Sequence, residues 1–174
     1  RASARAVSNA ISRQTRGLPN TRRLSDVAYV WGQFIDHDLD FTPAESGERF
    51  PIPVPLGDVF FDPAGTGQRT IPLIRSNVAP GTGTSAANPR QQINVVSALI
   101  DGSMVYGGDE ARAASLRTRV GGRLRTSAGA LLPFNADLWP NQNDSGLVPD
   151  DELFLAGDER ANENIELLVM HTLF

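Results

Sequence analysis

The 174-residue chain holds two imidazoles, His37 and His171, and no cysteine, and all 16 of its basic residues are arginine. Thiol catalysis, zinc–thiolate and iron–sulfur sites, Schiff-base lysines and the phosphate-binding loop lysine are therefore excluded. Imidazole acid–base chemistry near neutral pH has two candidates. His37 lies in a stretch whose apolar residues Val27, Val30, Trp31, Phe34 and Ile35 recur at helical spacing. At about 100° per residue, Gln33, Asp36, His37 and Asp40 share one arc, so Gln33 and His37, four apart, can converge on one bound molecule. Asp38 falls instead in the middle of the apolar arc. A carboxylate buried there needs a partner, and without lysine that partner is an arginine or a metal ion. From spacing alone, His37 reads either as a catalytic acid–base group or as a hydrogen-bonded surface imidazole.

The elements that must position these residues follow from periodicity and punctuation. Ala4 to Gln14 has a short amphipathic helical pattern that stops at Gly17-Leu18-Pro19-Asn20. The His37 helix has Ser25 or Asp26 as N-cap and runs to Phe41, before Pro43. Pro43 to Pro89 is rich in Gly and Pro, which predicts irregular chain with short strands around Gly57–Phe61 and Thr70–Ile74. Gly81-Thr82-Gly83-Thr84 lacks a following Gly-Lys pair and reads as a flexible loop. A helix is expected around Gln91–Ser97, then an apolar segment Leu99–Gly107 broken by a small polar insert. A short helix Glu110–Leu116, a turn or hairpin Leu124–Leu132 and an Asn- and Asp-rich loop Asn135–Asp151 follow. That loop contains Asn143-Asp144-Ser145, a glycosylation sequon by form. Glu163 to Phe174 is helical by period through Ile165, Leu168, Val169 and Leu173, with no stop signal, which predicts that the sequence ends inside a helix and belongs to something longer.

With 40% hydrophobic residues, the chain can bury a core. Its net charge of −4 argues against a nucleic-acid partner, and no apolar run approaches the roughly 20 residues needed to span a membrane.

Trp31-Gly32-Gln33-Phe34-Ile35-Asp36-His37-Asp38-Leu39-Asp40-Phe41-Thr42-Pro43 closely resembles the distal-histidine motif of the animal-type haem peroxidases, the peroxidase–cyclooxygenase superfamily. Asp101-Gly102-Ser103-Met104-Val105-Tyr106-Gly107 and Leu155-Ala156-Gly157-Asp158-Glu159-Arg160-Ala161-Asn162-Glu163-Asn164 resemble two further family motifs, in the family's order. The resemblance implies a mainly α-helical fold packed around haem, with long irregular connections and little β structure. It also implies that residues 1–174 are the distal part of one catalytic domain, truncated at the C-terminus.

By the same resemblance, His37 is the acid–base group that moves a proton between the oxygens of hydrogen peroxide, Arg160 stabilises the developing charge, and Gln33 bonds water or halide in the pocket. Asp36 and Glu163 match carboxylates that form ester links to haem b. Asn164 stands where some relatives have a sulfur-linked Met, so that link is expected to be missing. Asp38 matches a calcium ligand, with Ser97, Leu99 through its carbonyl, Asp101 and Ser103 as companions, a hard oxygen set suited to Ca2+. Further implied are a small organic donor or halide as reductant and a secreted or extracellular setting. The proximal His is expected on a missing C-terminal part, in a second chain or in the rest of this one, and the chain alone is expected to be inactive. The alternatives are a fatty-acid dioxygenase of the same superfamily, or a non-catalytic calcium-binding module.

Overall fold

A computed structural model of the chain describes residues 1–45 and 47–174. It is mainly helical with little strand, as the resemblance implies. The chain divides into two compact units, one made of Arg1–Arg23 and Thr42–Ile93, the other of Leu24–Phe41 and Asn94–Phe174. No helix among the described residues is long and apolar enough to cross a membrane.

In the first unit, helix α1 (Ala4–Ser12) starts at Ser3, whose hydroxyl accepts from the Ala6 N–H at 3.2 Å. Strand β1 (Ile52–Pro53) pairs antiparallel with β2 (Thr70–Ile71), Ile52 opposite Ile71, and α1 packs on β1. The strand expected near Thr70 is present. The one expected at Gly57–Phe61 is not, because two carboxylates there capture the main chain. Asp58 accepts from the N–H groups of Phe60 and Phe61, from Asn9, and from Arg5 at 2.6 and 3.1 Å. Asp62 accepts from Gly57, Gly67 and both the N–H and hydroxyl of Thr66, and the Thr66 hydroxyl above all lowers its carboxyl to about 2. The helix expected at Gln91–Ser97 is also absent. Gln91 and Ile93 pair with Ala79 and Asn77 instead, while Val95 bonds Phe41 in the second unit's own fold.

The second unit carries the predicted chemistry. Helix α2 (Val27–Leu39) is entered from Ser25, whose hydroxyl accepts from Val27 N–H; Asp26 makes no side-chain cap. α2 ends two residues earlier than expected because Asn94 closes it, donating to the Leu39 carbonyl and accepting from the Phe41 N–H, both at 2.9 Å. Helices α3 (Ser103–Tyr106), α4 (Glu110–Ser115) and α5 (Ile165–Leu173) follow. Asp109 caps α4, and Asn164 caps α5 by accepting from Leu167 N–H at 2.8 Å. The loop Asn135–Asp151 is organised by fully buried Asn135, which donates to the carbonyls of Trp139 and Asp150.

α2 packs against α3 and α5. The core joins Val30 and Phe34 of α2, Met104 and Val105 of α3, and Leu167 and Met170 of α5. Burying such side chains contributes about 1.5–3 kcal/mol each. Val27 and Trp31, expected in the same stripe, are largely exposed; Trp31 lies against Phe174, ring centroids 5.6 Å apart. The buried line of α2 runs instead through Val30, Phe34, His37 and Asp38, which carries the imidazole and the carboxylate into the packed interior.

Gly157 brings the segment before Arg160 onto α3. A Cβ there would collide with the Ser103 carbonyl and lie 2.6 Å from Val105 C and 2.7 Å from Gly107 N. All three are main-chain atoms of one tight turn, so little can yield. Gly157→Ala is expected to lose about 3 kcal/mol of unfolding free energy in urea titration. Gly108→Ala, with nothing within 4 Å of its added Cβ, is expected to stay within about 0.5 kcal/mol of the parent.

Candidate active site

α2 delivers His37 into a site closed by the segment Asp158–Asn164. The imidazole is 4% exposed and its Nδ1 has no hydrogen-bond partner. Asp158 Oδ1 lies 3.7 Å from Nδ1, and Glu163 Oε2 lies 3.8 Å from Nε2. Burial foremost, then the Arg160 charge, lowers the His37 pKa against the opposing pull of Asp158 and Asp36, so the ring is neutral at physiological pH. A neutral imidazole can both accept and donate a proton.

Arg160 is buried too. Its Nε and Nη2 form a bidentate pair with Asp158 at 2.9 and 2.8 Å, Nη1 donates to the Asp40 carbonyl at 2.7 Å, and Nη2 to the His37 carbonyl at 3.1 Å. The guanidinium also sits 4.4 Å over the Phe41 ring. It therefore holds the last turn of α2, whose carbonyl ends are the negative pole of the helix. Gln33 donates to Glu163 at 2.9 Å and accepts from Asn164 at 3.0 Å, tying α2 to the start of α5. Burial foremost raises the Glu163 carboxyl above the usual range. Asp36 is exposed on α2. A cleft of about 580 Å³ opens beside these groups, lined by Tyr29, Gln33, Glu163, Asn164 and the loop residues Gln142–Ser145 among others.

Asp38 is fully buried, and its partners in the fold are main-chain and hydroxyl donors rather than an arginine. Oδ2 accepts from Asp101 and Gly102 N–H, both at 2.8 Å, and Oδ1 from the Ser103 hydroxyl at 2.9 Å and Met104 N–H at 3.1 Å. Main-chain donors at the start of α3 thus balance the carboxylate, a solution a residue count cannot reveal. Gly102 is suited to that turn by its φ of +79°. The same turn gathers the other oxygens: the Asp101 carboxyl accepts from Ser103 N–H, which holds it below the usual range, with the Ser103 and Ser97 hydroxyls and Asp38 beside it. Leu99 donates its N–H to Ser97 Oγ and turns its side chain to solvent.

Two groups that hold the residues of this site go beyond what the motifs convey. By composition Arg160 can pair at the surface with Asp158 or Glu163; the structure gives it Asp158, in a buried pair whose carboxylate also accepts from Arg160 N–H two positions on. Asn94 ends the helix bearing His37 from 53 positions or more away. His171 is buried with both nitrogens unbonded, edge-on to Phe34 at 5.0 Å, and burial foremost lowers its pKa to about 4. It serves as a neutral core ring.

The sequence profile described as animal haem peroxidase matches residues 1–174. The chain belongs to that family. Peroxinectin A of Dictyostelium discoideum is 35% identical over 97% of the chain and 34% of its own length. Human myeloperoxidase is 36% identical over 98% of the chain and 26% of its own length. The solved peroxidase A from Dictyostelium discoideum superposes with a TM-score of 0.84 at 32% identity, over 98% of this chain and 35% of that one. The chain thus spans about a third or less of these relatives. Fatty acid alpha-dioxygenase from Oryza sativa shares the fold, with a TM-score of 0.63 at 22% identity over 92% of the chain and 23% of its own.

For an animal haem peroxidase the implied group is haem, and the residues present fit it: a buried neutral imidazole whose Nε2 faces Glu163, and an amide and a carboxyl on the wall of an open cleft. For a cation, no cluster of three His, Cys, Asp or Glu side chains exists among the described residues. The Asp38–Asp101 turn offers two carboxylates and two hydroxyls in one place, the all-oxygen chemistry of Ca2+.

Proposed function

We propose that residues 1–174 form the distal part of a peroxidase catalytic domain that reduces hydrogen peroxide at the expense of a small organic donor or halide. The supporting observation is the convergence of four side chains from α2 and from the segment leading into α5, with His37 and Arg160 buried and Gln33 and Glu163 on the wall of the cleft beside them. Haem, when bound, supplies the iron at which the peroxide bond is broken. His37 takes a proton from one peroxide oxygen and returns it to the other, a task suited to a ring kept neutral by burial. Arg160 contributes a permanent positive charge beside the site where negative charge develops, and holds the His37 main chain as it does so. Gln33, one turn earlier, presents its amide to a pocket water or halide. Asp36 and Glu163 are the carboxylates we assign to ester links with haem, a reading supported for Glu163 by its position on the cleft wall, and Asn164, engaged as helix cap and Gln33 donor, leaves no third link. The iron's proximal His comes from sequence outside these residues, and an extracellular setting accords with a calcium-dependent site.

The test is spectroscopic and catalytic. The protein with its complementing proximal part is expected to show a haem Soret band and to consume peroxide in proportion to donor oxidised. Absence of the band, or oxygen uptake with an unsaturated fatty acid and no peroxide demand, overturns the reading.

For the second group we propose that Ca2+ binds Asp38, Asp101, Ser97, Ser103 and the Leu99 carbonyl, pinning α2 next to His37. Chelation with EGTA is expected to lower Tm, and millimolar Ca2+ to restore it. At free Ca2+ about 100-fold above Kd the linkage is worth about 2.7 kcal/mol. A melt indifferent to EGTA removes the metal.

A further inference from the structure

The first 25 residues hold six of the 16 arginines and no aspartate or glutamate, whereas the rest of the chain holds ten arginines and all 20 acids. An acidic chain thus contains one strongly basic segment, and the helix inside it is mounted the unusual way round. On α1, Arg5 and Asn9 share the side turned to the body of the first unit, where both donate to Asp58 and the Arg5 guanidinium lies 4.8 Å over the Phe61 ring. Val7 and Ile11, one turn apart, lie on the opposite side, 45% and 78% exposed, and no residue of α1 is buried. A surface helix ordinarily turns its apolar stripe inward. Here the polar side is inward, held by the Asp58 pair, and the apolar side is presented outward. Val59 and Phe60, which line a groove with α1, are exposed as well.

After α1 the chain runs through Arg13, Arg16, Arg22 and Arg23, all exposed, with exposed Leu18 between them. None of these four arginines forms an ion pair among the described residues, and the segment has no acid of its own to supply one. We propose that α1 and residues 13–23 form a docking surface for an anionic lipid bilayer, with Val7 and Ile11 entering the headgroup boundary and the four arginines meeting lipid phosphates. Charge complementarity selects this occupant. Burial against a protein would require carboxylates for guanidinium groups, since arginine is almost never buried unpaired. A soluble polyanion would answer the arginines but leave Val7, Ile11 and Leu18 in water. An anionic bilayer supplies phosphates for the guanidinium forks and an acyl boundary for the apolar side chains. The surface does not depend on the chemistry proposed for His37.

The test is co-sedimentation of the protein, with its complementing proximal part, with vesicles of phosphatidylcholine alone or of equal parts phosphatidylcholine and phosphatidylglycerol. Binding is expected to the mixed vesicles and not to phosphatidylcholine, and is expected to weaken as salt is raised. Replacing Arg13, Arg16, Arg22 and Arg23 together by Gln is expected to abolish it, at about 5-fold for each charge removed. Ile11→Ser is expected to weaken it by about 10-fold, while Tm and peroxide consumption stay at parental values. Dextran sulfate serves as a probe of charge without an apolar phase, and its binding is expected to be the same in Ile11→Ser as in the parent. Absence of binding to mixed vesicles, equal binding to both vesicle types, or binding that survives loss of the four arginines overturns the proposal. Vesicle binding indifferent to Ile11→Ser also overturns it, and makes the segment a site for soluble polyanions instead.

Discussion

Replacing His37 by Ala in the haem-loaded protein is expected to slow its reaction with hydrogen peroxide by about 10²–10⁴-fold, read by stopped-flow absorbance of the Soret band. That range corresponds to about 2.7–5.4 kcal/mol of transition-state stabilisation. The size of the effect follows from how the ring is held. It is buried to 4% exposure and kept neutral, with one nitrogen toward Asp158 and the other toward Glu163. Ala removes the one neutral base of the site, and neither Gln33 nor permanently charged Arg160 can take up a proton in its place. His37→Gln, which keeps polar bulk but cannot shuttle a proton, is expected to be as slow as Ala. A Gln variant of near parental rate would reduce the ring to a steric role, and an unchanged rate in both variants removes the acid–base assignment. Arg160→Lys is expected to be milder, because the charge persists while the bidentate Asp158 pair and the bonds to the α2 carbonyls are lost.

The second large effect is on stability. Asp38→Ala is expected to cost about 3–5 kcal/mol, lowering Tm by about 10 °C for a chain of this size. Four donors lose their acceptor at once: the N–H groups of Asp101, Gly102 and Met104 and the Ser103 hydroxyl. The hydroxyl can turn away, and Asp101, at the surface, can find water. Met104 is buried and its N–H cannot, and the cavity left under α2 adds a further penalty. Asp38→Asn keeps the shape but turns an NH2 toward donors, so it is expected to recover little of the loss. Full recovery with Asn would mean that Asp38 acts by volume alone. The effect should persist in EGTA, since the main-chain donors hold the carboxylate without a cation, whereas the calcium increment should vanish in the variant.

These two residues, adjacent in the sequence, show where a linear reading reaches its limit. The helix from Val27, its apolar period and the burial of a carboxylate within it are local properties, and 3.6-residue geometry makes them readable. So are the three motif segments whose order marks an animal haem peroxidase, because each is a contiguous run. The strand at Gly57–Phe61 and the helix at Gln91–Ser97 were expected on local preference and are absent. In both, distant or side-chain partners outcompete the main chain's own pairing: Asp58 and Asp62 in the first, Asn77 and Ala79 in the second.

By itself the sequence determined the residue types available for chemistry: two imidazoles, no lysine, no thiol, and a helix that carries Gln33, Asp36, His37 and Asp38 at set angles around one axis. Only the tertiary structure decided what those residues meet. It brought Asp158 and Arg160 to the end of α2, more than 115 positions away along the chain, and it answered Asp38 with the N–H groups of a turn rather than an arginine. The physical reason is that main-chain donors are present at every residue but proline, so composition cannot reveal which of them a buried carboxylate will find. That choice is made by the packing of α3 against α2, where a residue as small as Gly157 lets the Arg160 segment close over both.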